Sequence, residues 1–490
     1  MSESPLGLAA LAAVLAYLGL LLAVAWRARA ARGDDSLSSF YLAGRSLGPF
    51  VLFATLYATQ YSGNSLLGYP GEAYRIGFAW VMSLGFMMGI IVAYLLVAPR
   101  LYLIARRHGY VTPGDWLDHR YGLPALTWTA NTLTVVAIAN YLLAQLMAMG
   151  HIVAGLSGGA VPYWVGVVGL TLVILVYETV GGMHAVAWTD GVQGSLLLLG
   201  LAGVIAWIAP TPDRLGEITA WVAAQAPEKT AVPPLAVSAT WLSTLIIVPL
   251  SAAVYPQAIQ RIYAAKSIHA LRRGITVMAF MPIVTMLPVL LLGIVGIQQL
   301  SGLEGVAADQ VVPLLLRQWA AESVVLHALA VVVIVAVIAA IMSTADSVLL
   351  TLSSMLAKDF LGKTVLAGET SERLTRAGKT LSWVVVAVLV GVALQPRITL
   401  WGLTEFKMEL LVQVAPAFIL GLHLRAIHGR AALWGLLAGA AVALALPFTP
   451  VSRPFGVHDG LVGLVVNLAV CAWASAFGRR SRHEKAMKVC

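Results

Sequence analysis

The chain has 490 residues, of which 60% are hydrophobic and only 11% charged, and its mean hydropathy is +0.87. Such a composition excludes a soluble globular domain, and without ten-residue alternation it excludes a barrel, so the expected class is an all-α integral membrane protein. The net charge of +9 does not point to nucleic acid, because the basic residues lie in short loops beside apolar runs, where the positive-inside preference accounts for them.

Thirteen spans are expected, at 6–26, 47–74, 78–105, 124–155, 162–180, 185–209, 236–264, 274–299, 322–357, 378–395, 398–424, 431–449 and 458–478. They form one transmembrane domain over 1–490, since no long polar linker separates them. The first span lacks a basic lead and a cleavage site, and is read as a retained helix. Of the 31 Lys and Arg, 24 fall on the side of the first loop. Arg27, Arg45, Arg106, Arg261, Lys358 and Arg425 are among these 24, whereas Arg75, Lys229, Lys407 and Arg453 are not. The bias places the N-terminus outside and the C-terminus in the cytoplasm, as in a bacterial plasma-membrane protein.

Before the second span, "GRSLG" at 44–48 fits a hydrolase nucleophile pattern but follows no strand, so it is discounted. The second span has a polar, glycine-containing patch from Ala58 to Ser65 between two short apolar halves, as in a helix unwound at its centre. Glu178 and His184 flank a Gly-Gly pair and read as interfacial caps, and Asp190 follows in "AVAWTDGVQG". Loops 210–235 and 300–321 are expected to carry short surface helices. Five spans after the first break, Pro249 and Pro256 interrupt the seventh span. Matched interruptions point to an inverted-repeat transporter with its site near the midplane.

In that repeat, "IMSTADS" at 341–347 would face the first break. A carboxylate in the bilayer costs roughly 2.5 to 3.5 kcal/mol on insertion scales, so Asp346 should face protein, water or an ion. Ala340, Ser343 and Ser347 are spaced i, i+3, i+7 with Asp346 adjoining. Hydroxyls with carbonyls freed at an unwound segment suit a small hard cation, with Asp346 or Asp190 supplying charge. Further on, Lys407 lies between Glu405 and Glu409, and either attracts an anionic substrate or makes charge contacts at the outer rim. "GLLAG" at 435–439 is a weak helix-packing motif. Cys471 and Cys490 make no disulfide framework or metal spacing.

Several long stretches in order, "YLAGRSLGP", "SGNSLLGYPGEAYRIGFAW", "YETVGGMHAVAWTDGVQG", "YPQAIQRIYAAKS" and "MSTADSVLL", resemble the sodium/solute symporter family, in its pantothenate and monocarboxylate branch. The resemblance implies a LeuT-type fold of two inverted five-helix repeats: a leading helix at 6–26, repeats at 47–209 and 236–424, trailing helices at 431–478 and a cytoplasmic tail at 479–490. It implies a sodium site at the carbonyls of Ala58, Tyr61 and Ala340 and the hydroxyls of Ser343 and Thr344. A second cation position would use Asp190, Ser343, Asp346 and Ser347. Gln60 stands where the proline-transporting branch has aspartate, which argues against a proline carrier. Substrate candidates, chosen by depth and polarity, are Gln60, Ser65, Tyr141, Tyr255, Gln257 and Gln413, with Lys407.

The reading is a symporter, not an enzyme, that uses Na+ as coupling ion, needs no organic cofactor or obligate protein partner, and imports a small polar organic solute, preferably carboxylate-bearing: pantothenate, a monocarboxylate or an amino acid. Proton coupling through Asp190 or Asp346 is the nearest rival. A membrane sensor is disfavoured by the short tail, and a channel by polar patches that are local rather than continuous.

Overall fold

Inside a bilayer the backbone must satisfy its own donors and acceptors, and every long apolar run here does so as a helix. The computed structural model describes residues 7–30, 34–157 and 159–487. Leu6, where the first expected span begins, Arg32 and Lys488, two of the 24 basic residues counted above, and Cys490 lie outside them. In chain order the helices are α1 (Gly7–Ala30), α2 (Leu37–Leu42), α3 (Pro49–Gln60), α4 (Tyr69–Ile76), α5 (Met82–His108), α6 (Pro113–Tyr121), α7 (Pro124–Leu156), α8 (Tyr163–Ile208), α9 (Pro212–Gln225) and α10 (Leu235–Ala252). There follow α11 (Pro256–Ala264), α12 (Ile268–Met278), α13 (Met281–Gln299), α14 (Val311–Ala320), α15 (Val324–Met355), α16 (Ser371–Ala393), α17 (Leu400–Ala415), α18 (Gly421–His423), α19 (Gly429–Ala445) and α20 (Asp459–Met487).

Among the described residues, 11 helical segments are long and apolar enough to cross a membrane, against the thirteen expected. The difference has a local cause. Residues 163–208, read as two spans, form one 46-residue element bent at Gly182, whose φ of 57° and ψ of −151° suit only glycine. Residues 47–74 are divided: α3 stops at Gln60, and the chain re-enters helix through a π-turn at Asn64–Gly68 that runs on into α5. The second predicted interruption is also present, with α10 ending at Ala252 and α11 starting at Pro256. At the second break Pro256 supplies the restart, since its missing N–H falls where a helix has no partner for it, whereas Pro249 lies within the last turn of α10.

α15 is the hub. It packs on α8, α7, α3, α11 and α1, and every residue from Val333 to Met355 is buried. Of the two loops expected to hold surface helices, 210–235 does so with α9, but α14 turns Leu315, Leu316 and Trp319 into the core. The glycines of "GLLAG" do serve packing: a Cβ on Gly435 or Gly439 would come within 2.7 Å of the α20 backbone or side chains, so α19 and α20 lie backbone to backbone.

The two sets of basic residues occupy opposite ends of the bundle. At one end Arg45 donates to the Tyr110 carbonyl at 2.7 Å, Arg120 to those of Gly421, Leu424 and Ile427, and Lys358 and Lys363 pair with Asp115 and Asp118. At the other, Arg75 donates to the Gly305 carbonyl, Lys229 to that of Arg75, and Arg453 pairs with Glu405. Arg261 and Lys407 depart from the pattern: Arg261, counted with the loop charges, is wholly buried on α11, and Lys407 is buried on α17.

Candidate functional site

The last four carbonyls of a helix have no partner within it, and they carry the negative end of its dipole. α3 ends in this way in mid-bundle, where Tyr61 adopts φ −100° and ψ 102°. The side chains that meet this end come from α15. Ser343 Oγ lies 2.9 Å from the Ala58 carbonyl and 3.0 Å from that of Ala340, and Thr344 Oγ1 lies 3.4 Å from the Thr59 carbonyl. Thr59 Oγ1 is 3.1 Å from Ser347 Oγ. A serine hydroxyl has one proton to share between the two carbonyls that face it, and α3 ends too soon to give the Ala58 carbonyl a helical amide, since the Ser62 N–H donates to Ser65 Oγ. These buried oxygens are a donor set that suits a hard monovalent cation. Gly63 fixes the start of the π-turn: its N–H donates to Gln145 Oε1 on α7 at 3.0 Å, and an added Cβ would sit 2.6 Å from Ile341.

The residues expected to form a second cation position are also adjacent, but a cation of the protein's own lies among them. Arg261 Nη2 is 3.1 Å from Asp190 Oδ2, with both side chains fully buried, and it also donates to Ser347 Oγ. Arg261 Nε donates to Thr55 Oγ1 at 2.7 Å, and Thr55 donates to Asp190. Asp346 is turned the other way, accepting from Tyr177 at 2.5 Å and from Ser347 at 3.2 Å. One network therefore ties α3, α8, α11 and α15 together at the level of the two breaks. Neither Arg261, Thr55 nor Tyr177 was picked out from the sequence. The signal available was Arg261 one turn after Gln257 on the half-helix following Pro256, inside the break.

The substrate candidates divide. Tyr141 on α7 and Tyr255 at the second break have ring centroids 6.3 Å apart, and Lys407 Nζ lies 3.3 Å from the first and 4.6 Å from the second. Gln60 accepts from Tyr94 at 3.0 Å, Ser65 accepts from the Ser62 amide, and Gln257 is buried with its carbonyl accepting from Arg261. Gln413 faces away, donating to the Gly460 carbonyl at 2.8 Å at the α19–α20 side. The rim contacts considered for Lys407 are not made. Lys407 is 2% exposed, while Glu405 pairs with Arg453 at 2.8 Å and Glu409 Oε1 lies 3.3 Å from His458 Nδ1. Nor does Glu178 act as a cap, since both its carboxylate oxygens are buried without hydrogen-bond partners. Above the Lys407 cluster, Tyr69, Trp80, Phe86 and Trp401 interlock edge to face, with Trp80 and Trp401 centroids 4.8 Å apart. Trp80 and Trp401 also line a cavity of about 380 Å³, together with Glu72, Arg75, Glu405 and Arg453.

The family model for sodium:solute symporters matches residues 40–439, which include both breaks, Asp190 and the 340–347 stretch. The chain belongs to the sodium:solute symporter family. This symporter is 26% identical to a sodium/glucose cotransporter of Vibrio parahaemolyticus, over 94% of the chain and 88% of the relative. It is 25% identical to the sodium/pantothenate symporter of Escherichia coli strain K12, over 95% and 96%, and 25% identical to an osmoregulated proline transporter of Bacillus subtilis strain 168, over 92% and 91%. Among solved structures, a substrate-bound, outward-open Na+-coupled sialic acid symporter aligns with a TM-score of 0.79 at 17% identity, covering 96% of this chain and 98% of that one. Relatives that carry such different solutes match equally well, so overall similarity does not select the substrate.

Proposed function

We propose that this symporter uses the inward sodium gradient to import a small organic solute by alternating access, with one sodium bound where α3 ends against α15. The carbonyls of Ala58, Tyr61 and Ala340 and the hydroxyls of Ser343 and Thr344 are its ligands. The observation that carries the reading is the convergence of Ser343 Oγ on two carbonyls from two different helices. Sodium bound there draws α3 onto α15 and orders the π-turn that leads to α4. Its release to the cytoplasm loosens that contact. Coupling follows because ion and solute favour the same state, so each raises the other's affinity equally.

Arg261 already supplies positive charge between Asp190 and Ser347, which favours a stoichiometry of one sodium with these groups structural. If the bend at Gly182 is counted as a turn between two spans, and each broken helix as one span, the chain has thirteen. They divide into one leading helix, two inverted repeats of five, at 47–209 and 236–424, and two trailing helices, with the N-terminus outside a plasma membrane. The solute is carboxylate-bearing, in line with "YPQAIQR" and "QVAPAF", which resemble the pantothenate and monocarboxylate branches. Uptake of labelled solutes into proteoliposomes under an imposed sodium gradient, compared with an imposed proton gradient, tests the reading. Uptake that ignores sodium and collapses with a protonophore would overturn it.

A further inference from the structure

The Lys407 amine sits deep inside the protein, and among the described residues no acid pairs with it. Its Nζ lies over the Tyr141 ring at 3.3 Å and the Tyr255 ring at 4.6 Å. The acids adjacent in sequence are committed elsewhere, Glu405 to Arg453 and Glu409 to His458. Ring faces attract a cation but do not neutralise it, so this amine is held as an ammonium only when a counter-charge joins it. The position also lies between a cavity wall and the first helix break. Trp401, which lines that cavity, lies six residues before Lys407 on α17, about 9 Å along the helix at 1.5 Å per residue. Below, Tyr141 is one turn from Gln145, which holds the Gly63 amide at the unwound end of α3.

We propose that Lys407, gripped by Tyr141 and Tyr255, is the seat for the negative group of the transported solute, and that the solute is a monoanion without an ammonium group. The inference rests on the symporter reading above and narrows it. With sodium bound and Lys407 protonated, two positive charges face the solute position, while Arg261 and Asp190 offset one another and Asp346 is held by Tyr177 and Ser347. A monocarboxylate offsets one of them, whereas an amino-acid zwitterion brings a further ammonium to which none of these acids is free to pair.

Purified protein is tested by thermal shift, in sodium and in choline, with propionate, pyruvate, lactate, pantothenate, alanine, proline, propionamide and chloride as probes, and compared with Lys407→Met and Lys407→Arg. The expected result is sodium-dependent stabilisation by at least one of the carboxylates and by neither the amino acids nor propionamide. Lys407→Met should abolish that response or raise its half-saturation at least 100-fold, Lys407→Arg should retain part of it, and the shift caused by sodium alone should persist in both. Three results would overturn the proposal: no carboxylate stabilises the natural protein, propionamide or chloride does so equally, or Lys407→Met responds within twofold of it. Loss of the sodium shift in the unsubstituted protein would instead refute the symporter reading.

Discussion

Ser343→Ala removes one oxygen from a buried position and leaves the rest of the side-chain volume in place. Ser343 is 0% exposed and its Oγ stands 2.9 Å from Ala58 and 3.0 Å from Ala340 carbonyl oxygens. Without sodium the change deletes one interhelix hydrogen bond, a net loss of about 1 kcal/mol. With sodium it deletes an ion–dipole contact, and hydrogen bonds to charged groups, a fair proxy, are worth about 1.5 to 3 kcal/mol. The change in binding is the difference, about 0.5 to 2 kcal/mol, and at about 1.4 kcal/mol per decade the sodium concentration for half-maximal effect should rise roughly 2- to 30-fold. Two assays read this: sodium titration of uptake in proteoliposomes, and sodium titration of thermal stability, where bound ligand stabilises by RT ln(1 + [L]/Kd). Uptake and folding retained with a half-saturating sodium concentration within twofold of the unsubstituted protein would show that this hydroxyl is not a ligand.

Breaking the buried Arg261–Asp190 pair from one side leaves an uncompensated charge, so Arg261→Met and Asp190→Asn should each destabilise by about 3 to 5 kcal/mol, whereas the double variant should lose clearly less than their sum; additive losses in detergent-solubilised protein would contradict the pairing. Gly182→Ala places a Cβ 2.7 Å from the Phe40 carbonyl at a φ of +57° and should cost about 1 to 3 kcal/mol. Gly191→Ala, with open space around it, is the control, and equal melting temperatures would argue against the bend. Asp309, in the segment between α13 and α14, accepts from the Leu400 amide at 2.9 Å, and burial pushes its carboxyl up to about 7 despite Arg75 nearby. A carboxyl raised above its unfolded value holds its proton more tightly in the fold, so its contribution is fully present below about pH 4 and is lost as pH rises through about 7. Asp309→Asn should flatten that decline in melting temperature between pH 5 and 8, and an unchanged profile would assign it to other groups.

The residues that define each helix, and the two places where helices stop in mid-bundle, were legible in the sequence because they depend on neighbours in the chain. Apolar runs must be helical in lipid, and Gly63, Pro249 and Pro256 act on their own turn of backbone. The pairing of Ala58 with Ser343 was accessible for a related reason: hydroxyls in an apolar run must meet something polar, and the broken segment offered free carbonyls. Charge was where local reading stopped. Arg261, Lys407 and Glu178 looked like loop, rim and interface residues from their neighbours along the chain, yet all three are buried. What an ionised side chain does depends on which distant groups the fold brings within a few ångströms, and Asp190, 71 residues from Arg261, or Tyr141, on another helix from Lys407, is set by tertiary packing alone.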